Sequence, residues 1–328
     1  MWSGSVFNRI AGFSRKLLAG RGKLPTVLAS TLLFVYAAVF VIPVRNVVLY
    51  PAIEFAWRDV ETSDLIRIHF GDDVIPSGLH NRVSCSAVEK PKLSRADINT
   101  SAVFTYPDLR KPTAVFEVLE KGHGRFLPTL NLSQKVENLY LYRAAAAALD
   151  SVGVKHFLVA GTVLGLNRHN GFVPWDDDMD LSVSLDSWDL VKQTLSCIEG
   201  FTLNQFHILH WKFQFSGREY PFLDIFFYRM DETYVWAATS YTRKTYIYPT
   251  EFVFPLSEST FEGVKVPVPR NSLGVARRIY DYDICKAFRG HIERSMILSS
   301  VYPNGYAVSE VPCKDLSYMY TMFNLEDS

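Results

Sequence analysis

The sequence has little cysteine, no surplus of either charge and no internal repeat. Its four cysteines, Cys85, Cys197, Cys285 and Cys313, are scattered and make no CxxC pair, which argues against a zinc knuckle. In an oxidising compartment three full pairings are open to them, and free buried thiols are an equal alternative. The 34 basic residues are balanced by 34 acidic ones, so no broad basic surface marks a partner for nucleic acid. The absence of repeats and low-complexity tracts excludes solenoid arrays. A length of 328 residues, nearly half of them apolar, is enough for one large globular domain with appendages.

One appendage is legible. Leu24 to Val44 is almost wholly apolar and, at about 20 residues, long enough to cross a bilayer. Arg9, Arg15, Lys16, Arg21 and Lys23 precede it without an acid, whereas Arg45, Glu54, Arg58 and Asp59 follow it. The positive-inside rule then predicts a cytosolic tail over 1–23, a signal anchor over 24–44 and everything later on the lumenal side, a single-pass type II membrane protein. The rival, a signal peptide cleaved near Tyr36-Ala37-Ala38, is disfavoured by the long leading segment and long apolar stretch. Two glycosylation sequons, Asn99-Thr100-Ser101 and Asn131-Leu132-Ser133, fall on the lumenal side.

After the span the text reads as a lumenal stem or small subdomain over 45–130, with strand-like LIRIHF at 65–70 and AVFEVLE at 114–120. A helix is predicted over 132–152, with Ser133 as candidate cap and five alanines from Ala144. There follow a strand at 155–160, a helix after Gly161, a strand at 179–184, a helix near 186–197, strands near 201–216 and 221–228, the strand-like GVKVPV and a helix over 272–280. Such alternation implies an α/β sandwich with a mixed sheet. The segment beyond Arg289 is rich in tyrosine and carries no clear signal.

Chemistry concentrates in Phe172 to Asp180, FVPWDDDMD, where four aspartates occupy five positions. An aspartate run is ordinarily a solvated loop or a helix start. Here Pro174-Trp175 enters the run and Leu181 and Val183 lead it into a buried strand, where carboxylates are costly unless paired or metal-bound. Two carboxylates about 4 Å apart repel by roughly 4 kcal/mol at an effective dielectric near 20, so a cation is expected among them. Strand parity puts Asp178 and Asp180 on one face and turns Asp177 away.

Three further features are read beside this cluster. Gly161-Thr162 stands between a strand and a helix start, where N–H groups face a phosphate; Arg168 offers either a phosphate clamp or a structural salt bridge. Asp224, alone in the apolar YPFLDIFFY, needs a partner: either the metal of Asp178 and Asp180, or a neighbouring N–H or arginine. His207 and His210, placed on one strand, point to opposite faces and make a poor ligand pair. Asp72-Asp73 reads as a turn.

The ordered segments FLVAGTVLGLNRHNGFVPWDDDMDLSV, PFLDIFFY and VKVPVPRNSLGVARRIYDYD, spanning roughly 139–283, resemble the LicD family, which includes fukutin and fukutin-related protein. Tyr280-Asp281-Tyr282-Asp283 stands where that family has a tyrosine-glycine turn, a departure that touches the last substrate contacts. The resemblance implies a nucleotidyltransferase-like catalytic domain over 131–328. It further implies Mg2+ or Mn2+ on Asp178, Asp180 and Asp224, with Gly161, Thr162 and Arg168 toward donor phosphate. The donor implied is a CDP-alcohol such as CDP-ribitol or CDP-choline, the acceptor a glycan or glycoprotein, and the address a Golgi or ER membrane. Asp178-Met179-Asp180 is also a DxD, so a metal-dependent glycosyltransferase using a nucleotide sugar is the rival enzyme; a catalytically inactive glycan-binding membrane protein is the rival of another class.

Overall fold

The structure is a computed structural model that describes residues 94–104, 112–243, 245–287 and 309–325, with 60, 64–65, 67–68, 78 and 82–85. The predicted tail and membrane span, and Asp72-Asp73, lie outside the described residues. Among the described residues no helix is long and apolar enough to cross a membrane.

Two segments read as strands are helical. Pro112–Glu120 forms helix α1. Proline suits a first helical turn, and the half-buried Val115 and buried Val118 recur at three-residue rather than two-residue spacing. Residues 64–65 and 67–68 are helical too, with Asp64 and Arg67 joined at helical i,i+3 spacing, 3.1 Å apart.

Helix α2, Leu132–Ser151, is capped by Asn131 rather than Ser133: Asn131 Oδ1 accepts from Gln134 N–H while Gln134 reaches back to Asn131 N–H. Strand β1, His156–Leu158, runs into helix α3, Ala160–His169, with Ala160 at φ 48°, so Gly161 and Thr162 lie in the first helical turn. Strand β2, Met179–Ser184, and helix α4, Trp188–Ser196, come next. The stretch read as one strand near 201–216 is a hairpin, β3 Phe201–His207 and β4 His210–Phe215, turning at Ile208-Leu209. Strand β5 is Phe222–Met230, β6 Tyr234–Ala237 and β7 Ile247–Pro249. A separate ribbon pairs β8, Ser257–Phe261, with β9, Val264–Val268; it is followed by helix α5, Ser272–Ile279.

The expected mixed sheet is present: seven strands, ordered β1-β2-β5-β4-β3, with β6 on β5 and β7 on β6. Strands β2 and β5 run parallel; the other neighbours are antiparallel. Strand alternation divides the interior. Met179, Leu181, Val183, Leu223 and Ile225 face a core shared with α2 and α4, whereas Phe157, Val159 and Tyr228 face a second core shared with α3 and α5. Asp180 and Asp224, of opposite parity to Leu181 and Ile225, belong to the second face.

The segment after Arg289 that carried no signal contributes to this second core. Strand β11, Ser309–Pro312, pairs with β10, Ile284–Ala287, and Cys313, Leu316 and Tyr320 are buried with α3. Disulfides join Cys285 to Cys313 and Cys85 to Cys197. Ile98 and Val103, from the region read as a stem, pack into the first core, and Phe126 into the second.

Candidate active site

Parallel pairing of β2 with β5 sets Asp180 directly opposite Asp224, near the N-terminal end of both strands. Carboxylate oxygens of Asp178, Asp180 and Asp224 lie within 4.8 Å of one another, and all three residues are buried. Asp176, Asp177 and Asp178 form a second group of the same closeness, so Asp178 belongs to both. Asp177 is therefore apart from Asp180 and Asp224, though not from its sequence neighbours. Its carbonyl accepts from Tyr220 Oη at 2.8 Å, which ties the loop to the start of β5.

Asp180 and Asp224 each have their own support. Asp180 Oδ2 accepts from Thr162 N–H and Thr162 Oγ1, both at 3.2 Å, and Asp180 N–H donates to Thr162 Oγ1 at 2.7 Å. The Thr162 donors expected to meet a phosphate are thus engaged in holding Asp180 against the positive end of α3. Gly161 is needed beside them: a β-carbon there would lie 2.6 Å from Asp176 Oδ2, so the glycine admits that carboxylate to the helix end. Asp224 has the partners that its apolar strand demands, His210 Nε2 and Lys212 Nζ, each 3.1 Å from Oδ1. Because β4 pairs antiparallel with β5, Lys212 stands opposite Asp224 and His210 opposite Phe226, on whose ring it stacks at 4.2 Å.

Arg168 is elsewhere engaged. It is 2% exposed, and its guanidinium donates to Tyr282 O, Cys313 Sγ and His169 Nε2 and lies near the Trp175 and Tyr282 rings. The reason is its place in the last turn of α3, away from the turn that holds Thr162; there it fastens the C-terminal segment. The sequons are better placed: Asn99 and Asn131 are exposed helix caps that use their carbonyl oxygens.

Electrostatics separates the carboxylates. Burial, and then the neighbouring Asp176, Asp180 and Asp224, push Asp178 well above the ordinary carboxylate range. Burial and Asp224 do the same to Asp180, against the Thr162 hydrogen bonds. For Asp224 burial also acts upward, but His210 and Lys212 prevail and hold it below its usual value. The tyrosine-rich departure from the family pattern is close by: burial, Tyr246, Asp180 and Asp176 together raise the Tyr280 hydroxyl well above its ordinary pKa.

A pH dependence follows. The folded state holds protons on Asp178 and Asp180 above the ordinary carboxylate pKa of about 4, so with a chelator present stability falls as pH rises from there through their raised values. Asp224, Glu137 and Asp231 are shifted the other way and lose stability on further acidification. The melting temperature in EDTA is therefore expected to peak on the acid side of neutrality, and the Asp178→Asn, Asp180→Asn double variant to lose most of the decline toward pH 8. Parallel melting curves against pH for the two proteins would contradict this.

Sequence reasoning missed His210, Lys212 and Tyr280 as neighbours of the site. A signal existed for the first two: His210, Lys212 and Gln214 alternate with Trp211, Phe213 and Phe215, a polar strand face that needed a polar partner.

The class that fold and site define is a mixed α/β protein whose parallel strand pair presents three convergent carboxylates beside a helix N-terminus. Residues 153–271 match the family model described as LicD/FKTN/FKRP, nucleotidyltransferase domain, so the resemblance read from the sequence holds over the segment that carries all three aspartates. Mouse ribitol 5-phosphate transferase FKRP is 24% identical over 157 residues, covering 45% of this chain and 31% of that protein. Mouse ribitol-5-phosphate transferase FKTN is 28% identical over 138 residues, covering 39% of this chain and 29% of that protein. An uncharacterized protein of Rickettsia typhi is 28% identical over 149 residues, 45% of this chain and 47% of its own length. The matched regions thus span less than half of each relative. Among solved structures, the lincosamide antibiotic adenylyltransferase LnuA, lincomycin-bound, aligns with 44% of this chain and 87% of its own at 16% identity and a TM-score of 0.31.

Proposed function

We propose that the protein transfers a phospho-alcohol from a CDP-alcohol to a glycan acceptor. The observation that carries this reading is the convergence of Asp178, Asp180 and Asp224 within a segment matching the LicD domain. Relatives named ribitol 5-phosphate transferases support ribitol phosphate as the transferred group.

The donor set fits Mg2+ or Mn2+: its ligand atoms are carboxylate oxygens, preferred by hard cations, and their mutual repulsion favours a positive charge among them. A bound ion would neutralise negative charge on the donor pyrophosphate as the acceptor approaches. Thr162 fixes one face of Asp180, and His210 with Lys212 keeps Asp224 ionised. That depressed pKa makes Asp224 a better ligand than proton acceptor. In the reaction the acceptor oxygen bonds to the alcohol-bearing phosphorus, and the oxygen bridging the two phosphorus atoms departs with CMP. The acceptor hydroxyl's proton passes to solvent.

A secretory address, in the Golgi or ER membrane with the domain in the lumen, is supported by two disulfides, which persist in oxidising compartments, and by the two exposed sequons.

The purified chain, offered CDP-ribitol, CDP-choline and nucleotide sugars with a glycan acceptor, is expected to release CMP in a divalent-metal-dependent and chelator-sensitive way, with phosphorus gained by the product. Release of UDP or GDP with a phosphorus-free product would instead establish the glycosyltransferase reading of Asp178-Met179-Asp180. Binding of glycan without release of any nucleotide would establish the inactive one.

A further inference from the structure

A pyrophosphate donor needs a cation besides the metal for its remaining oxygens. The residue expected to supply it, Arg168, is fastened in the second core, and the Thr162 donors are taken by Asp180. Lys212 brings a positive charge onto the acidic cluster itself, 3.1 Å from Asp224 Oδ1. Two features separate it from a fixed counter-ion. Asp224 already has His210 at the same distance, and the Lys212 side chain, 21% exposed, lies over the Phe222 ring with its ammonium 3.0 Å from the centroid. A lysine on a flexible four-carbon stem can leave one anion for another a few ångströms away.

We propose that Lys212 is a substrate-binding residue that grips the donor pyrophosphate, and that its pairing with Asp224 is a resting position. A divalent ion held by Asp178, Asp180 and Asp224 would compete with the ammonium for Asp224 and so free Lys212 for an anionic donor. Metal and donor therefore bind cooperatively, through Lys212. The inference rests on the proposed donor class but does not need the identity of the alcohol.

The test uses the full-length chain and its Lys212→Gln and Lys212→Arg variants. Calorimetry measures Mn2+ binding alone, then CDP-ribitol and inorganic pyrophosphate binding in the presence of Mn2+. Lys212→Gln is expected to bind Mn2+ alone at least as tightly as the unaltered protein, because a competitor for Asp224 is gone. It should bind both phosphorus ligands about tenfold or more weakly, the loss of one charge-assisted contact. Lys212→Arg should recover most of that loss. Unchanged affinity for CDP-ribitol and pyrophosphate in Lys212→Gln would overturn the proposal, as would loss of Mn2+ binding in both variants, which marks a purely structural lysine. If the unaltered protein binds pyrophosphate but no CDP-alcohol, the donor reading fails while the pyrophosphate comparison still decides the role of Lys212.

Discussion

Replacing Asp178, Asp180 or Asp224 by asparagine is expected to lower turnover about a thousandfold, roughly 4 kcal/mol of transition-state stabilisation, while leaving the fold intact. Asparagine keeps the shape and one acceptor oxygen, so the Thr162 contacts to residue 180 survive in kind; what disappears is one negative charge from a trio within 4.8 Å. The same physics predicts an opposite effect on stability. Asp178 and Asp180 are buried beside like charges and pushed upward in pKa, so neutralising either one without metal relieves repulsion and should raise the melting temperature by a few degrees. Asp224, held by His210 and Lys212, should instead lose stability when neutralised, because its partners are left without their carboxylate. Asp177→Asn serves as the comparison and should cost far less activity, since residue 177 is not grouped with Asp180 and Asp224. Turnover and melting curves in EDTA check the set. Full activity in any of the three variants removes that residue from the mechanism.

The largest loss of stability is expected outside the site, at Glu262. Its carboxylate is wholly buried, 2.6 Å from Lys135 Nζ, and accepts from the N–H groups of Phe104 and Phe172 at 2.8 and 3.2 Å. Lys135 is equally enclosed; burial lowers its pKa while Glu262 opposes the shift. Removing one partner strands a buried charge and two amides, a loss of about 3–5 kcal/mol, so Glu262→Ala should melt roughly 10 °C lower. Gly171 is part of the same arrangement, because a β-carbon there would come within 2.5 Å of Glu262 Oε1. The pair fixes Phe172, where the acidic loop begins, so activity should fail with temperature earlier in the variant. Replacing Lys135 and Glu262 together by methionine should cost less than the single change, since no lone charge remains. Scanning calorimetry of the three proteins distinguishes this from a dispensable pair: a fall of under 2 °C in Glu262→Ala would count against it.

The amino-acid sequence by itself determined the elements with strong local signals. Leu181 and Val183 alternate with polar neighbours and mark β2; the alanine run marks α2; and four aspartates in five positions next to a buried strand mark a site by charge repulsion alone. The alternation of helix and strand gave a mixed sheet, which the structure has. Local signals failed where long-range neighbours decide. AVFEVLE is apolar enough for a strand, yet it is a helix whose half-buried Val115 and buried Val118 face the protein three residues apart, while Phe116 and Leu119 are exposed. His207 and His210 would point to opposite faces only if Ile208-Leu209 continued a strand; the chain turns there, which makes the two histidines cross-strand partners, and Trp188 donates its indole N–H to Ile208 O at 2.8 Å from another element. The tail after Arg289 has no periodic pattern, and its described residues, 309–325, are fastened by the Cys285–Cys313 bond and by Arg168. Register is the deepest of these decisions. Parallel pairing of β2 with β5 brings together Asp180 and Asp224, 44 residues apart in sequence, and antiparallel pairing of β4 sets Lys212 beside them. A one-residue slip in either ladder would send those side chains to the opposite face, so the site exists only once the sheet has chosen its pairing.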